Sequence, residues 1–186
     1  AYEVAGRKSS FSSLAFGLPI ILKPRWEGSS IGLHKVVQAE QWDAALADAL
    51  KYDAEILVEA FIAGRELTVG IVGEQVLPIV EILAPEDCFD FKAKYTKGIT
   101  DYLVPAPLEP EQTRACQQVA LRTFHALGCR GVGRVDLRMD LSGDLYVLEL
   151  NTIPGFTETS LLPMAAASMG IGFPELCHRV METSQC

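Results

Sequence analysis

Short apolar runs broken by glycine and proline recur along the chain and predict a series of β-strands. LPIILKP, residues 18–24, is typical of a buried strand, and a second strand is predicted through residues 33–37, after the loop RWEGSSIG. EILVEAFI, RELTVGIVG and QVLPIVEIL predict three more strands, separated by Ala63-Gly64 and Gly73-Glu74, which are good turn formers. The first half of the chain is therefore expected to form sheets.

Helical spacing of apolar residues predicts helices between and after these strands. In QWDAALADALKY the spacing favours an amphipathic helix with Trp42, Ala45, Leu46, Ala49 and Leu50 on one face. Pro110 and Gly128 are expected to open and close a second helix. Its predicted inward positions are Cys116, Val119, Ala120, Phe124 and Leu127. Two short helical segments are predicted near residues 161–169 and 173–183.

The segment GRVDLRMDLSGDLYVLELNT, residues 133–152, predicts a hairpin with a two-residue loop at Ser142-Gly143. Counting outward from that loop places Asp136 opposite Glu149 and Arg134 opposite Asn151, on one face. The same register predicts that an apolar set shares the other face: Val135, Leu137, Met139, Tyr146, Leu148 and Leu150.

The polar face of this hairpin has two interpretations. Facing carboxylates repel unless a cation neutralises them or one takes a proton. Asp136, Glu149 and Asn151 offer hard oxygen donors, which suit Mg²⁺. A half-exposed antiparallel sheet also shows a polar face by default, so the hairpin alone leaves a solvated surface as the alternative.

Composition and charge narrow the class of protein. The chain has 186 residues, 49% of them hydrophobic, and a formal net charge of −8, with no basic run to bind a phosphate backbone. These values argue against nucleic acid as a partner. The cysteines are odd in number and lack a C-x-x-C pair, which is typical of reduced thiols in a cytoplasmic protein. The run LAFGLPIIL is too short to span a bilayer, so no membrane partner is expected.

Three features are typical of phosphate binding, and each has a simpler alternative. EGSSIG, residues 27–32, is a Gly-Ser loop between two strands, which excludes a Walker loop and is by itself a flexible turn. Lys23 ends a hydrophobic strand, where it could equally protect a sheet edge. Lys94 stands in the long polar segment 84–107, which is predicted to be a lid or binding loop. Together with the hairpin acids, these parts suit a nucleoside triphosphate and its magnesium.

Five motifs in series give the chain a family resemblance: LPIILKPRWEGSSIG, ILVEAFIAGRELTVGI, AKY, GVGRVDLRMD and LELNTIPGFTETSLLP. Their order resembles the ATP-grasp region of D-alanine–D-alanine ligases from about residue 18 to residue 180. The resemblance implies an α+β ATP-grasp fold, with antiparallel sheets and flanking helices in two lobes. It implies a small lobe at residues 18–62 and a carboxy-terminal lobe at residues 63–186. Residues 1–17 do not match and are expected to be a leader or the remnant of a preceding domain.

The resemblance implies roles for individual residues at the nucleotide. Lys23 and Lys94 would contact phosphates, and Glu27, Gly28, Ser29 and Ser30 belong to the loop that would close over them. Glu59 would accept from the adenine amino group, the backbone of Ala60 and Ile62 would read the base edge, and Glu66 would bind ribose hydroxyls.

The resemblance also implies the metal and acyl-transfer residues. Asp136, Glu149 and Asn151 would bind two Mg²⁺ ions, with Glu149 bridging and Mn²⁺ as an alternative ion. Arg134 and the backbone N–H of Gly155 would stabilise the charged oxygen during acyl transfer. Ser160 and the Leu161 backbone would hold the carboxylate of the second D-alanine, and Ser29 with Tyr95 would orient the substrates.

The expected activity is ATP-dependent formation of D-alanyl-D-alanine for peptidoglycan, with ATP and D-alanine as substrates, in the cytoplasm. At full length the protein is expected to be a homodimer. The family's amino-terminal lobe is not recognisable in the chain, which predicts a fragment that is weak or inactive alone. The alternatives are a D-alanine–D-lactate ligase and a noncatalytic nucleotide-binding fragment.

Overall fold

The chain divides into two compact units in a computed structural model that describes residues 2–84 and 100–183. Unit 1 comprises residues 1–61 and 84–100, and unit 2 comprises residues 62–83 and 101–186. Most of the segment predicted to be a lid, including Lys94 and Tyr95, lies outside the described residues.

Unit 1 is built on one antiparallel sheet with the strand order β1-β4-β2-β3. Its strands are β1 Tyr2–Ala5, β2 Ile20–Pro24, β3 His34–Val36 and β4 Ile56–Ala60. The strands predicted from residues 18–24, 33–37 and EILVEAFI are confirmed. Residues 2–5, inside the segment expected to be a leader, pair with β4 along the edge of this sheet.

The core of unit 1 lies on one face of the sheet, under the predicted helix, which forms as α1 Trp42–Ala49. Ile20 and Leu22 of β2 are fully buried there together with Val58 of β4. Because side chains alternate along a strand, Lys23 and Glu59 project from the opposite face. The apolar alternation thus places two of the residues assigned to the nucleotide on one surface.

Unit 2 is built on a second antiparallel sheet, with the order β10-β9-β5-β7-β8 and β6 paired to β5. Its strands are β5 Gly64–Val72, β6 Gln75–Val76, β7 Val80–Leu83, β8 Asp101–Leu103, β9 Val132–Asp140 and β10 Leu145–Asn151. QVLPIVEIL was expected to form one strand, and this is wrong. Pro78 lacks the N–H that a continuous ladder needs, so the run divides into β6 and β7. The predicted loop at residues 84–107 also contains a strand, β8.

One face of this second sheet is covered by α2 Pro110–Ala126. Cys116, Ala120 and Phe124 pack against the apolar side chains of β5 and β9. The predicted boundaries are confirmed, since Pro110 opens the helix and Gly128 follows it with a φ of +67°. Leu127 was expected to face inward but is 66% exposed, because the helix ends at Ala126 and the chain turns there.

The other face is covered in part by the two predicted short helices, α3 Leu161–Ser168 and α4 Phe173–Thr183. Leu162 of α3 lies over Gly70 of β5, where an added Cβ would approach the Leu162 side chain to 3.2 Å. No helix among the described residues is long and apolar enough to cross a membrane.

The hairpin β9–β10 has the predicted register at the end far from its turn and a different one near the turn. Glu149 lies opposite Asp136 and Asn151 opposite Arg134, as predicted. The predicted two-residue loop is wrong: Asp140 N–H donates to the Asp144 carbonyl across a three-residue loop, in which Gly143 has a φ of +92°. A bulge between Val147 and Glu149 restores the predicted register beyond it.

The loop and the bulge also change which apolar residues of β10 face the core. Tyr146 and Leu148 were expected on the apolar face and are 39% and 37% exposed. Tyr146 lies opposite Arg138 instead, and Leu145 packs against the core in its place.

Candidate functional site

Polar side chains gather on the face of the second sheet that points away from α2; we call this surface the polar face. The apolar residues of β5 and β9 point to α2, so by alternation the residues between them share the opposite side. Adjacent strands contribute these members: Glu66 and Thr68 from β5; Arg134, Asp136 and Arg138 from β9; Glu149 and Asn151 from β10. Folding therefore brings the three predicted metal residues onto one surface with Arg134 and Glu66.

Asp136 lies at the centre of the polar face and accepts hydrogen bonds from two side chains. Arg134 donates in a bidentate manner, from Nε to Oδ1 at 2.8 Å and from a terminal nitrogen to Oδ2 at 2.7 Å. Thr68 Oγ1 donates to Oδ1 at 2.5 Å. Asp136 is only 8% exposed, and charge-assisted contacts of this kind are strong and directional. The carboxylate is thus held in one orientation.

Glu149 and Asn151 complete a donor set that fits Mg²⁺. Asn151 Nδ2 lies 3.4 Å from Glu149 Oε1, and Glu149 is exposed beside the buried Asp136. Residues 2–84 and 100–183 contain no group of three or more His, Cys, Asp and Glu side chains placed to hold a metal by themselves. Two carboxylates and one amide are nevertheless the kind of set that binds Mg²⁺ when phosphates and water supply the other ligands.

Glu66 is paired with Arg138, which was not among the site residues predicted from the sequence. Arg138 donates to Glu66 Oε2 at 3.0 Å and, through its other terminal nitrogen, to the Gly64 carbonyl at 3.1 Å. The Glu66 and Arg138 side chains are 13% and 7% exposed. The candidate ribose-binding acid therefore belongs to a buried ion pair.

The loop between β10 and α3 folds around the hydroxyl of Ser160. Thr157 N–H donates to Ser160 Oγ at 3.1 Å, and the two hydroxyls lie 2.9 Å apart. Gly155 lies beside them, since a Cβ built on it would be 3.1 Å from Ser160 Oγ. Ser160 precedes the first helical residue, Leu161, so its hydroxyl stands at a helix N-terminus, where the peptide dipoles favour an anion.

In unit 1, the structure pairs two of the predicted nucleotide residues with each other. Lys23 Nζ lies 2.8 Å from Glu59 Oε2, on the face of the sheet opposite α1. Both side chains are about one quarter exposed, at 26% and 27%. Ala60 ends β4 and pairs with Ile20, and Ile62 is the first residue of unit 2.

The loop at residues 27–32 has an unusual backbone. Ser29 and Ser30 have φ values of 54° and 59°, a left-handed conformation that costs a non-glycine residue about 1–2 kcal/mol. Gly32 also has a positive φ, and a Cβ there would lie 2.7 Å from the Tyr52 ring. Strain of this kind is concentrated in ligand-binding loops. Glu27 and Gly28 lie at the exposed start of the loop.

Sequence reasoning missed Thr68 and Arg138. Arg138 could have been found, because counting in twos from Asp136 reaches it on the same strand face. Thr68 could not, since its contact with Asp136 depends on the pairing of β5 with β9, which are far apart in sequence.

Comparison with known proteins places the chain in a family. The sequence model described as "D-ala D-ala ligase C-terminus" matches residues 7–182. The D-alanine–D-alanine ligase of Methylacidiphilum infernorum is 47% identical over 92% of this chain and 56% of its own length. D-alanine–D-alanine ligase B of Chromobacterium violaceum is 43% identical over 98% of the chain and 61% of its own length.

Solved structures agree with the sequence comparison. The VanG D-Ala:D-Ser ligase of Enterococcus faecalis matches with a TM-score of 0.84 and 31% identity, over 98% of this chain and 55% of its own. A D-alanine–D-alanine ligase of Bacillus anthracis, complexed with ATP, matches with a TM-score of 0.83 and 28% identity, over 99% and 59%. The expected ATP-grasp α+β fold is confirmed. The chain spans little more than half the length of these relatives.

Proposed function

The chain belongs to the D-alanine–D-alanine ligase family, matching the family's carboxy-terminal part, and we propose that it supplies the nucleotide, metal and acyl-transfer residues of an ATP-dependent D-alanine–D-alanine ligase. The observation that carries this proposal is the polar face, where the acids Asp136 and Glu149 lie opposite each other beside Arg134. A solvated surface would not explain why Asp136 is buried and held by two donors.

The residues that we assign to ATP binding fall in both units of the chain. In unit 1, Lys23 would contact the α- and β-phosphates, and the strained loop at residues 27–30 would cover them with its backbone N–H groups. Glu59 and the backbone of Ala60 and Ile62 would recognise adenine. In unit 2, Glu66 would bind the ribose hydroxyls. Lys94 and Tyr95 keep their predicted roles at the phosphate and the substrate.

Asp136, Glu149 and Asn151 would hold two Mg²⁺ ions, with Glu149 shared between them and Mn²⁺ able to substitute. When bound, the ions would neutralise phosphate charge as it develops. Arg134 donates to both oxygens of Asp136, so it would share this carboxylate with a bound metal ion.

The proposed reaction begins with phosphoryl transfer. The carboxylate of the first D-alanine attacks the γ-phosphorus of ATP, the bond to the β-phosphate oxygen breaks, and an acyl phosphate and ADP form. The nucleophile and the phosphate are both anionic, so the reaction needs cationic groups such as Lys23 close to the phosphates. Phosphorylation converts a poor electrophile into a good one.

The second half of the reaction is acyl transfer. The amine of the second D-alanine attacks the acyl carbon, phosphate leaves, and the amine loses a proton. Arg134 and the N–H of Gly155 would stabilise the negative oxygen that develops. The Ser160 hydroxyl and the Leu161 N–H, at the start of α3, would hold the carboxylate of this amino acid. Water must be excluded, and residues 84–107 remain our prediction for the covering lid.

The sequence comparisons favour D-alanine as the second substrate. The curated relatives at 47% and 43% identity are D-alanine–D-alanine ligases, whereas the D-Ala:D-Ser ligase structure is 31% identical. We propose that the second substrate is D-alanine, in preference to D-serine or D-lactate, and that the product is used in peptidoglycan. We further propose that the full-length protein acts as a homodimer in the cytoplasm.

Phosphate release from Mg-ATP tests the proposal directly in the natural gene product that carries this chain. Release should depend on D-alanine and yield D-alanyl-D-alanine, with a smaller kcat/KM when D-serine or D-lactate is supplied as the second substrate. Faster turnover with D-lactate would replace the proposal by depsipeptide formation. Absence of turnover with D-alanine, D-serine and D-lactate would favour the noncatalytic alternative.

A further inference from the structure

Arg138 forms an ion pair with Glu66 near the start of β5. The two residues lie directly opposite each other in the β5–β9 pairing. One terminal nitrogen of Arg138 contacts the Glu66 carboxylate at 3.0 Å, and the other contacts the Gly64 carbonyl at 3.1 Å. Because the guanidinium is planar, two contacts to one strand fix its orientation and, with it, the direction of the Glu66 carboxylate.

Stability alone is a weak explanation for this pair. Removing two charges from water costs about as much as their attraction returns, and an apolar pair of similar volume often serves a sheet equally well. A glutamate also has several rotatable bonds, and holding it in one rotamer before a ligand arrives lowers the entropy lost on binding. The pair therefore suits a site that must present a carboxylate in a defined direction.

A second arginine–glutamate pair nearby lacks this placement. Arg65 contacts Glu81 with two hydrogen bonds, at 2.7 and 2.6 Å, and also donates to the Pro107 carbonyl at 3.0 Å. Arg65 immediately precedes Glu66 on β5, so by alternation its side chain lies on the face covered by α2. The Arg65 and Glu81 side chains are 29% and 8% exposed, so this pair is a control for breaking a partly buried ion pair away from the polar face.

We propose that Arg138 is a positioning residue for nucleotide binding, acting by presenting the Glu66 carboxylate to the ribose hydroxyls. The inference rests on the proposed function, because it takes from it the role of Glu66. Arg138 would not contact the nucleotide itself, but it would determine how well the ribose is recognised.

The test compares ATP with 2′,3′-dideoxy-ATP, which lacks the ribose hydroxyls. The Kd of each Mg-nucleotide is measured by calorimetric titration into the natural gene product that carries this chain, for the wild type and for Arg138→Met, Arg138→Lys and Arg65→Met. We expect the wild type to prefer ATP by roughly tenfold, the size of one hydrogen bond to a charged group. Arg138→Met should reduce this preference to about twofold or less, Arg138→Lys should be intermediate, and Arg65→Met should retain it.

Glu66→Gln with and without Arg138→Met keeps the test decisive if the single methionine variant does not fold. If Arg138 acts through Glu66, adding Arg138→Met to Glu66→Gln changes the preference no further. A folded Arg138→Met that keeps the wild-type preference, or a further loss in the double variant, overturns the inference. If the wild type does not bind Mg-ATP, the proposed nucleotide site itself is contradicted. If the wild type binds ATP and dideoxy-ATP equally well, only the ribose contact and the inference built on it are overturned.

Discussion

Asp136 is a buried charge that the fold supports and to which we assign a role in metal binding. Its two oxygens receive hydrogen bonds from Arg134 and Thr68, so a carboxylate that is 8% exposed keeps strong partners. A buried charge without such partners would be costly. The same contacts would determine where the carboxylate points in the proposed metal site.

Replacing Thr68 with valine tests this support. The change keeps the shape of the side chain but removes the hydroxyl that donates to Asp136 at 2.5 Å. The free energy of unfolding should therefore fall by about 1–2 kcal/mol. Thr68→Ser, which keeps the hydroxyl, should retain more of the stability than valine does. Urea denaturation of the three proteins measures the difference. Equal stability of the valine variant and the wild type would show that the contact contributes nothing.

Asp140 gives a prediction for pH. The Ser142 hydroxyl, followed by the backbone N–H groups of Asp144 and Ser142, holds the pKa of the Asp140 carboxyl below its ordinary value. A lowered folded pKa means that its contribution to stability is present above the unfolded pKa, about 3.9, and is lost as the pH falls through the folded value. The free-energy difference between the wild type and Asp140→Asn should therefore be constant above about pH 5 and shrink as the pH falls from there through the folded pKa. A difference independent of pH would contradict this.

At the scale of elements, the hairpin shows what the sequence can and cannot predict. Alternation and a predicted two-residue turn placed Glu149 opposite Asp136, and the structure has this pairing although the turn was wrong. The bulge before Glu149 was not predictable, because an extra residue in a strand leaves the apolar pattern almost unchanged. The predicted loop is one residue too short and the predicted strand lacks the bulge, and these two errors cancel beyond the bulge. They do not cancel nearer the turn, where Tyr146 and Leu148 are exposed instead of facing the core.

The contact between α2 and β9 depends on Gly133. A Cβ at this position would lie 2.7 and 2.9 Å from two ring carbons of the buried Phe124. Gly133→Ala should therefore lower the free energy of unfolding by about 1–3 kcal/mol, as other overpacked cores do. Phe124→Leu removes the ring, so the same alanine should cost less in that background. A double-mutant cycle by chemical denaturation measures this coupling, and an equal cost in both backgrounds would rule out the ring contact as its cause.

At the scale of the whole molecule, two separate cores explain how the site residues are distributed. One core lies between α1 and the first sheet, and the other between α2 and the second. Local apolar spacing predicted most strands and helices, but the strand order depends on pairings between distant segments, such as β1 with β4 and β5 with β9. The order of the five motifs predicted the ATP-grasp fold, which the spacing of apolar residues alone could not predict.

The most direct test of the account is whether ATP binding depends on Mg²⁺ through Glu149. Glu149 is exposed, so Glu149→Gln should fold with near wild-type stability, which thermal denaturation checks. Calorimetric titration of ATP into the wild-type chain should show binding that weakens at least about tenfold when Mg²⁺ is removed, and Glu149→Gln should lose most of this dependence. Equal ATP affinity of the wild type and Glu149→Gln in the presence of Mg²⁺ would contradict a metal site at this hairpin.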